Sequence, residues 1–217
     1  NGHDPLYAPQ SKEDSDIFNR FVLAGYDLVQ TWEGFVYHMT SRGSRFKDGA
    51  MRNPAGQVFM KGRESTEWLE QNLRSTRNFI RKWGHMVKHD NMMFPIIPPK
   101  YDIGFVVKNC DSKMLRELEP WCSTIYTDCE YDDYIKEEQR NTAFNLSDRI
   151  KPYDNEKNND IIVKFDAKML NANNFQVIVN LSEMFKDSAE VGEMEYDVFH
   201  FDINSLETYE KDLIIRE

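Results

Sequence analysis

Apolar positions recur along this chain with two periods, and the change from one to the other divides it. Ile17, Phe18, Phe21, Val22 and Ala24 fall close to helical spacing, behind an acidic start at Glu13, Asp14 and Asp16 and ahead of Gly25. The pattern predicts a helix capped by Asp14 or Ser15, with those residues as its apolar face. Tyr26–Gln30 (YDLVQ) is predicted as a short strand, and the polar stretch Thr40–Gly62 as irregular. A long helix is predicted from Glu64 to Trp83, since Leu69, Leu73, Ile80 and Trp83 share one helix face. Arg74, Arg77, Arg81 and Lys82 lie late in it, where cations complement the helix dipole.

Residues 94–100, FPIIPPK, hold three prolines in seven positions, which no helix or central strand tolerates. Beyond them, strands and helices alternate. Strands are predicted at Tyr101–Lys108, Thr124–Thr127, Asn159–Phe165 and Glu195–Ile203. Helices are predicted at Ser112–Leu118, Tyr131–Arg140, Asn173–Lys186 and Ser205–Ile214. FQVIVNL, inside the third of these, also has strand character. The order points to a small ferredoxin-like α+β layer. Three units follow: residues 1–94, a Pro-rich linker at 95–100, and an α+β domain at 101–217.

Charge reinforces the division. Residues 1–100 carry 14 Lys and Arg against 11 Asp and Glu, whereas residues 101–217 carry 13 against 26. The acidic part argues against nucleic acid as its ligand. Three cysteines without a C-x-x-C pair argue against a disulfide framework and a common zinc site, and fit a reducing, cytoplasmic compartment. The N-x-S strings at Asn145 and Asn180 are then accidental. No run of apolar residues is long enough to span a membrane.

Two constellations carry chemistry. At the first helix start, Glu13, Asp14 and Asp16 sit where the dipole favours anions, and an ionised carboxylate is what a general base requires. Arg20 lies one turn after Asp16 and is spaced to pair with it. Taken alone, this is also the pattern of a good helix start with a surface ion pair. The second constellation is FVYHMTSRGSRF, residues 35–46. There Arg42 and Arg45 flank Gly43-Ser44, a combination suited to a phosphate or pyrophosphate, and His38 offers a ring nitrogen. In the acidic half, Asp102, Asp160 and Asp197 read as turn residues. Asp128, Glu130, Asp132 and Asp133 read as a solvated acidic loop, and Trp121 and Tyr126 as core.

In this order the two constellations, EDSDIFNRFVLAGYDLVQTWEGFVYHMTSRGSRF at residues 13–46, resemble the C-terminal half of a GT-A-type, inverting family-two glycosyltransferase. The resemblance spans about residues 5–84. Its later part, Asn53–Gly84, is similar to a helical extension of viral and environmental members. It implies that the chain is the acceptor-side part of a GT-A fold followed by an acidic accessory domain. By the same resemblance Asp14 is the base for the acceptor hydroxyl, with Glu13 beside it and Asp16 and Arg20 holding the helix start near the substrate. Ser41, Arg42, Ser44 and Arg45 face the donor diphosphate, and His38 completes a site for a divalent ion, Mn or Mg. The implied partners are a nucleotide-sugar donor and a hydroxyl acceptor. Such enzymes begin with a Rossmann-like half ending in a D-x-D metal motif, which is expected on a missing N-terminal segment. Asp14-Ser15-Asp16 has the letters D-x-D but belongs to the base motif. This fragment alone is expected to be inactive. The alternative is a non-catalytic interaction protein acting through exposed strand edges of the acidic domain. A nucleic-acid binder using the Arg-rich loop is weaker still, given a net charge of −10.

Overall fold

The computed structural model describes residues 2–9, 11–34 and 66–214. Six strands form one mixed sheet: β1 Ile103–Lys108, β2 Thr124–Thr127, β3 Ile150–Pro152, β4 Ile161–Asp166, β5 Gly192–Tyr196 and β6 Phe199–Ile203. Their order is β3-β2-β1-β4-β6-β5. β1 runs parallel to β2 and β4, and β2 parallel to β3, while β6 is antiparallel to both β4 and β5. The chain therefore mixes α and β as expected, but the ferredoxin-like layer is corrected. That layer pairs its neighbours antiparallel, and here four adjacent strands are parallel, as alternating strands and helices tend to build.

The central strand shows why. IGFVVK in β1 is buried at every position except Lys108, the near-continuous apolar run of a parallel strand covered on both faces. Its register sets Phe105 beside Ile125 and Val163 on one face. With Phe165, Phe199 and Phe201 these residues form the main core. That core is closed by Leu115 and Leu118 of α3 (Ser112–Leu118) and its flank, and by Leu181 and Phe185 of α7 (Leu181–Ser188). Rings meet edge to face along it, Phe105 on Phe165 at 5.5 Å and Phe165 on Phe199 at 5.2 Å between centroids. Val106, Tyr126 and Ile162 form a smaller cluster, with Tyr153 packed on it. Gly104 has a steric role in β1: a Cβ there would stand 2.3 Å from Oδ1 of Asn159.

Several predicted elements change at their ends. The strand expected at Glu195–Ile203 is the hairpin β5–β6, turning at Asp197, whose φ of 53° lies in the left-handed region Asp tolerates. Alternation runs through such a tight turn unbroken, so period alone does not reveal it. The helix expected at Asn173–Lys186 breaks at Asn180 into α6 (Phe175–Val179) and α7. The terminal helix is reduced to a 3₁₀ turn at Glu210–Leu213, and Tyr26–Gln30 forms no strand. Between β2 and β3 lie α4 (Asp132–Glu138) and the single turn α5 (Leu146–Arg149).

Two further helices precede the sheet, α1 at Glu13–Leu23 and α2 at Thr66–Trp83. Lys12, with φ of 77°, is the N-cap of α1, so Asp14 and Ser15 lie within the first turn and are not its caps. Ile80 of α2 joins the main core, while Phe79 and Trp83 close a second core with Tyr7. Leu69 and Leu73 of the same predicted apolar face are exposed.

Candidate functional site

The start of α1 is built around one carboxylate. Asp16 has no solvent exposure and is surrounded by donors. Arg20 Nε lies 2.9 Å away, Lys82 Nζ 2.7 Å, Trp83 Nε1 2.9 Å and Tyr7 Oη 3.4 Å. Arg20 also donates to the Gly2 carbonyl at 2.6 Å, and Lys82 bridges to Asp4 at 2.8 Å. Asp4 caps the 3₁₀ turn Pro5–Tyr7 by accepting from Leu6 N. Burial pushes the Asp4 carboxyl up, but the Lys82 ammonium and the Leu6 N–H outweigh it and hold the group below its ordinary value. Burial and the nearby Asp16 charge raise the Tyr7 hydroxyl far above its ordinary value, so it stays a donor. This cluster ties three chain segments together where a hydrophobic core alone is small.

Asp16 and Arg20, expected near the substrate, are therefore spent inside the protein and offer no free group to a diphosphate. They hold the helix start. Asp14 is different. Two residues earlier on the same turn, it is exposed, and its carboxylate makes no hydrogen bond to another described residue, at the helix end that favours a negative charge. Glu13 is half-buried, and its Oε2 is buried without a hydrogen-bond partner among the described residues. The pair thus presents one open and one recessed carboxylate at one helix start, anchored from beneath by Asp16.

The helix above this anchor is inverted in polarity. Its inward positions are Asp16, Asn19 and Arg20, while Phe18, at 45% exposure, Phe21 and Val22 look outward. Phe21 meets Tyr26 edge to face at 5.8 Å, and Trp32 stands 92% exposed farther along. The predicted apolar face exists but is not the face the described residues cover. His38, Ser41, Arg42, Ser44 and Arg45 lie outside the described residues. Among those described, no three His, Cys, Asp or Glu side chains are grouped to hold a metal ion.

A second polar cluster escaped the sequence. Glu119, fully buried, receives Arg81 at 2.7 Å, Arg149 at 2.7 Å and the Tyr134 hydroxyl at 3.1 Å. Arg81 also reaches Glu138 at 2.8 Å, and Arg77 forks onto Glu138 with two bonds of 2.9 Å. Burial raises the Glu119 carboxyl, but the Arg149 and Arg81 guanidiniums win and hold it at about 2. Arg77 and Arg81, expected to complement the helix dipole, instead bind α2 to the 3₁₀ turn Glu119–Trp121 that follows α3 and to the end of α4. Nothing in the local pattern marks Glu119, since its partners Tyr134, Arg149 and Arg81 lie 15, 30 and 38 residues away.

The acidic half's other candidates are structural. Asp102 accepts from Asn159 at 2.8 Å, Asp160 from Tyr209 at 2.7 Å, and Asp128 from the backbone N–H groups of Asn109 and Cys110. Trp121 and Tyr126 are core residues. No helix among the described residues is long and apolar enough to cross a membrane. Compared with protein-family models, curated proteins and solved structures, the chain gives no match.

Proposed function

We propose that this chain is the acceptor-side part of an inverting, nucleotide-sugar-dependent glycosyltransferase of the GT-A type, with Asp14 as general base. The observation that carries this reading is the division of labour between two carboxylates two residues apart on one helix turn. Asp16 is locked by four donors, and Asp14 is left open at the positive end of the helix that Asp16 anchors. In the reaction, Asp14 takes the proton of the acceptor hydroxyl as its oxygen bonds to the anomeric carbon. The bond from that carbon to the diphosphate breaks on the opposite side, which inverts the configuration. Glu13 lies beside the base, with its Oε2 buried and without a hydrogen-bond partner among the described residues. Ser41, Arg42, Ser44 and Arg45 would bind the diphosphate, and His38 a divalent ion. Among the described residues, no group of His, Cys, Asp or Glu side chains is placed to hold that ion.

The alternative, an interaction protein acting through strand edges, meets an obstacle. Edge strand β5 carries Glu193 and Glu195, and edge strand β3 ends in Pro152. Charge and proline are features that discourage strand addition. The test is a transfer assay on the natural full-length protein with a panel of nucleotide sugars, with the product anomer read by NMR. Inverted product, and a rate lowered about 10²–10⁴-fold by Asp14→Asn, are expected. Retained configuration, or full activity in Asp14→Asn, would refute the assignment.

A further inference from the structure

Cys110 and Cys129 stand at the carboxyl ends of two adjacent parallel strands, β1 and β2. Val107 pairs with Thr127 in that register, so each cysteine lies just past the last paired residues. Asp128 ties the two loops together, accepting from Asn109 N at 2.8 Å and Cys110 N at 3.1 Å. The two side chains then come close enough to influence each other, while the Cys110 thiol itself donates to the Asp111 carbonyl at 3.5 Å. The Thr127 hydroxyl donates to the Cys129 sulfur at 3.4 Å. Both cysteines are half-buried, within reach of a small solute. Cys122 is buried on its own, bonded to the Glu119 carbonyl.

We propose that Cys110 and Cys129 are a redox-active dithiol, a modification site that a hydroperoxide converts reversibly to an intrachain disulfide. Cys129 is the attacking sulfur. The neighbouring Cys110 side chain, helped by the Thr127 hydroxyl and opposed by burial and by the Asp128 charge, brings the Cys129 thiol down to about 7. Cys110 is held up, chiefly by the Cys129 side chain beside it and then by burial, with the Asp111 charge adding to the effect, so it remains the protonated resolving partner. The Cys129 thiolate attacks the terminal peroxide oxygen, the O–O bond breaks, and the leaving oxygen takes a proton to depart as water or an alcohol. The sulfenic acid on Cys129 then condenses with the Cys110 thiol. The S–S bond forms and the sulfenic oxygen leaves as water, so two electrons pass from the thiols to the peroxide. The product links the β1 and β2 loops covalently.

The experiment exposes the folded chain to a small excess of hydrogen peroxide, alkylates the remaining thiols and maps the peptides by mass spectrometry. A Cys110–Cys129 cross-link lighter by two hydrogen atoms, reversed by dithiothreitol, is expected, with Cys122 left reduced. In Cys110→Ser the sulfenic acid on Cys129 should persist and be captured by dimedone. Alkylation of all three cysteines after peroxide, a bridge through Cys122, or disulfides only between chains would overturn the proposal, and each is read on the unsubstituted protein.

Discussion

Glu119 shows what a buried charge demands at the scale of one residue. Its carboxylate, sealed from water, is tolerable only because Arg81, Arg149 and Tyr134 surround it. Arg81→Met, which keeps much of the volume and deletes the charge, leaves Glu119 and Glu138 short of a partner. Such loss costs about 3–5 kcal/mol, readable as a lower urea midpoint. The same groups set the response to acid. Glu119 titrates at about 2 in the fold against an ordinary 4.5, and Glu138 and Asp4 are also held low. Depressed carboxyls contribute stability fully above their unfolded values, and it is lost as pH falls from about 4.5 toward 2. His85 acts in the same direction at higher pH. Burial lowers it from 6.5 to about 4, so the unfolded chain takes up its proton first. Stability should therefore begin to fall below about pH 6.5 and drop further below about 4.5. Urea titrations across that range check it, and stability rising on acidification would contradict it.

Among the elements, α1 is the informative one. Its hydrophobic spacing was legible in the sequence, and so was the Asp16–Arg20 pair, because both are local. The direction in which the helix faces was not. That is decided by Trp83 and Lys82 of α2, which reach Asp16 from 67 and 66 positions away and pull the polar side inward. Truncating the outward face should cost little in this chain: Phe18→Ser is expected to shift stability by less than about 1 kcal/mol. Trp83→Phe keeps a ring in the Tyr7 core but deletes a donor to a buried carboxylate, at a cost of about 1–3 kcal/mol. Thermal unfolding of the two variants separates these outcomes, and a reversed order would mean that α1 packs the other way round.

In the whole molecule, alternation of strands and helices was readable from Tyr101 onward, yet the strand order was not. The ferredoxin-like expectation failed because β3 is three residues long and α5 a single turn, too short to show a period. The crossover from β3 to β4 holds no helix either, so β3, the parallel strand not predicted, left no mark of its own. Of the site, the acidic helix start was legible as a motif. Which carboxylate is free and which is spent emerged only from the packing of α2. That distinction makes a paired measurement the most direct test: rate of sugar transfer and unfolding temperature for Asp14→Asn and Asp16→Asn in the natural full-length protein. Asp14→Asn should lose transfer while stability stays within about 0.5 kcal/mol. Asp16→Asn should unfold earlier by about 3 kcal/mol or more, since it breaks a buried ion-pair cluster. Transfer that survives in Asp14→Asn, or a loss of stability there equal to that of Asp16→Asn, would contradict Asp14 as the free base on an Asp16 anchor.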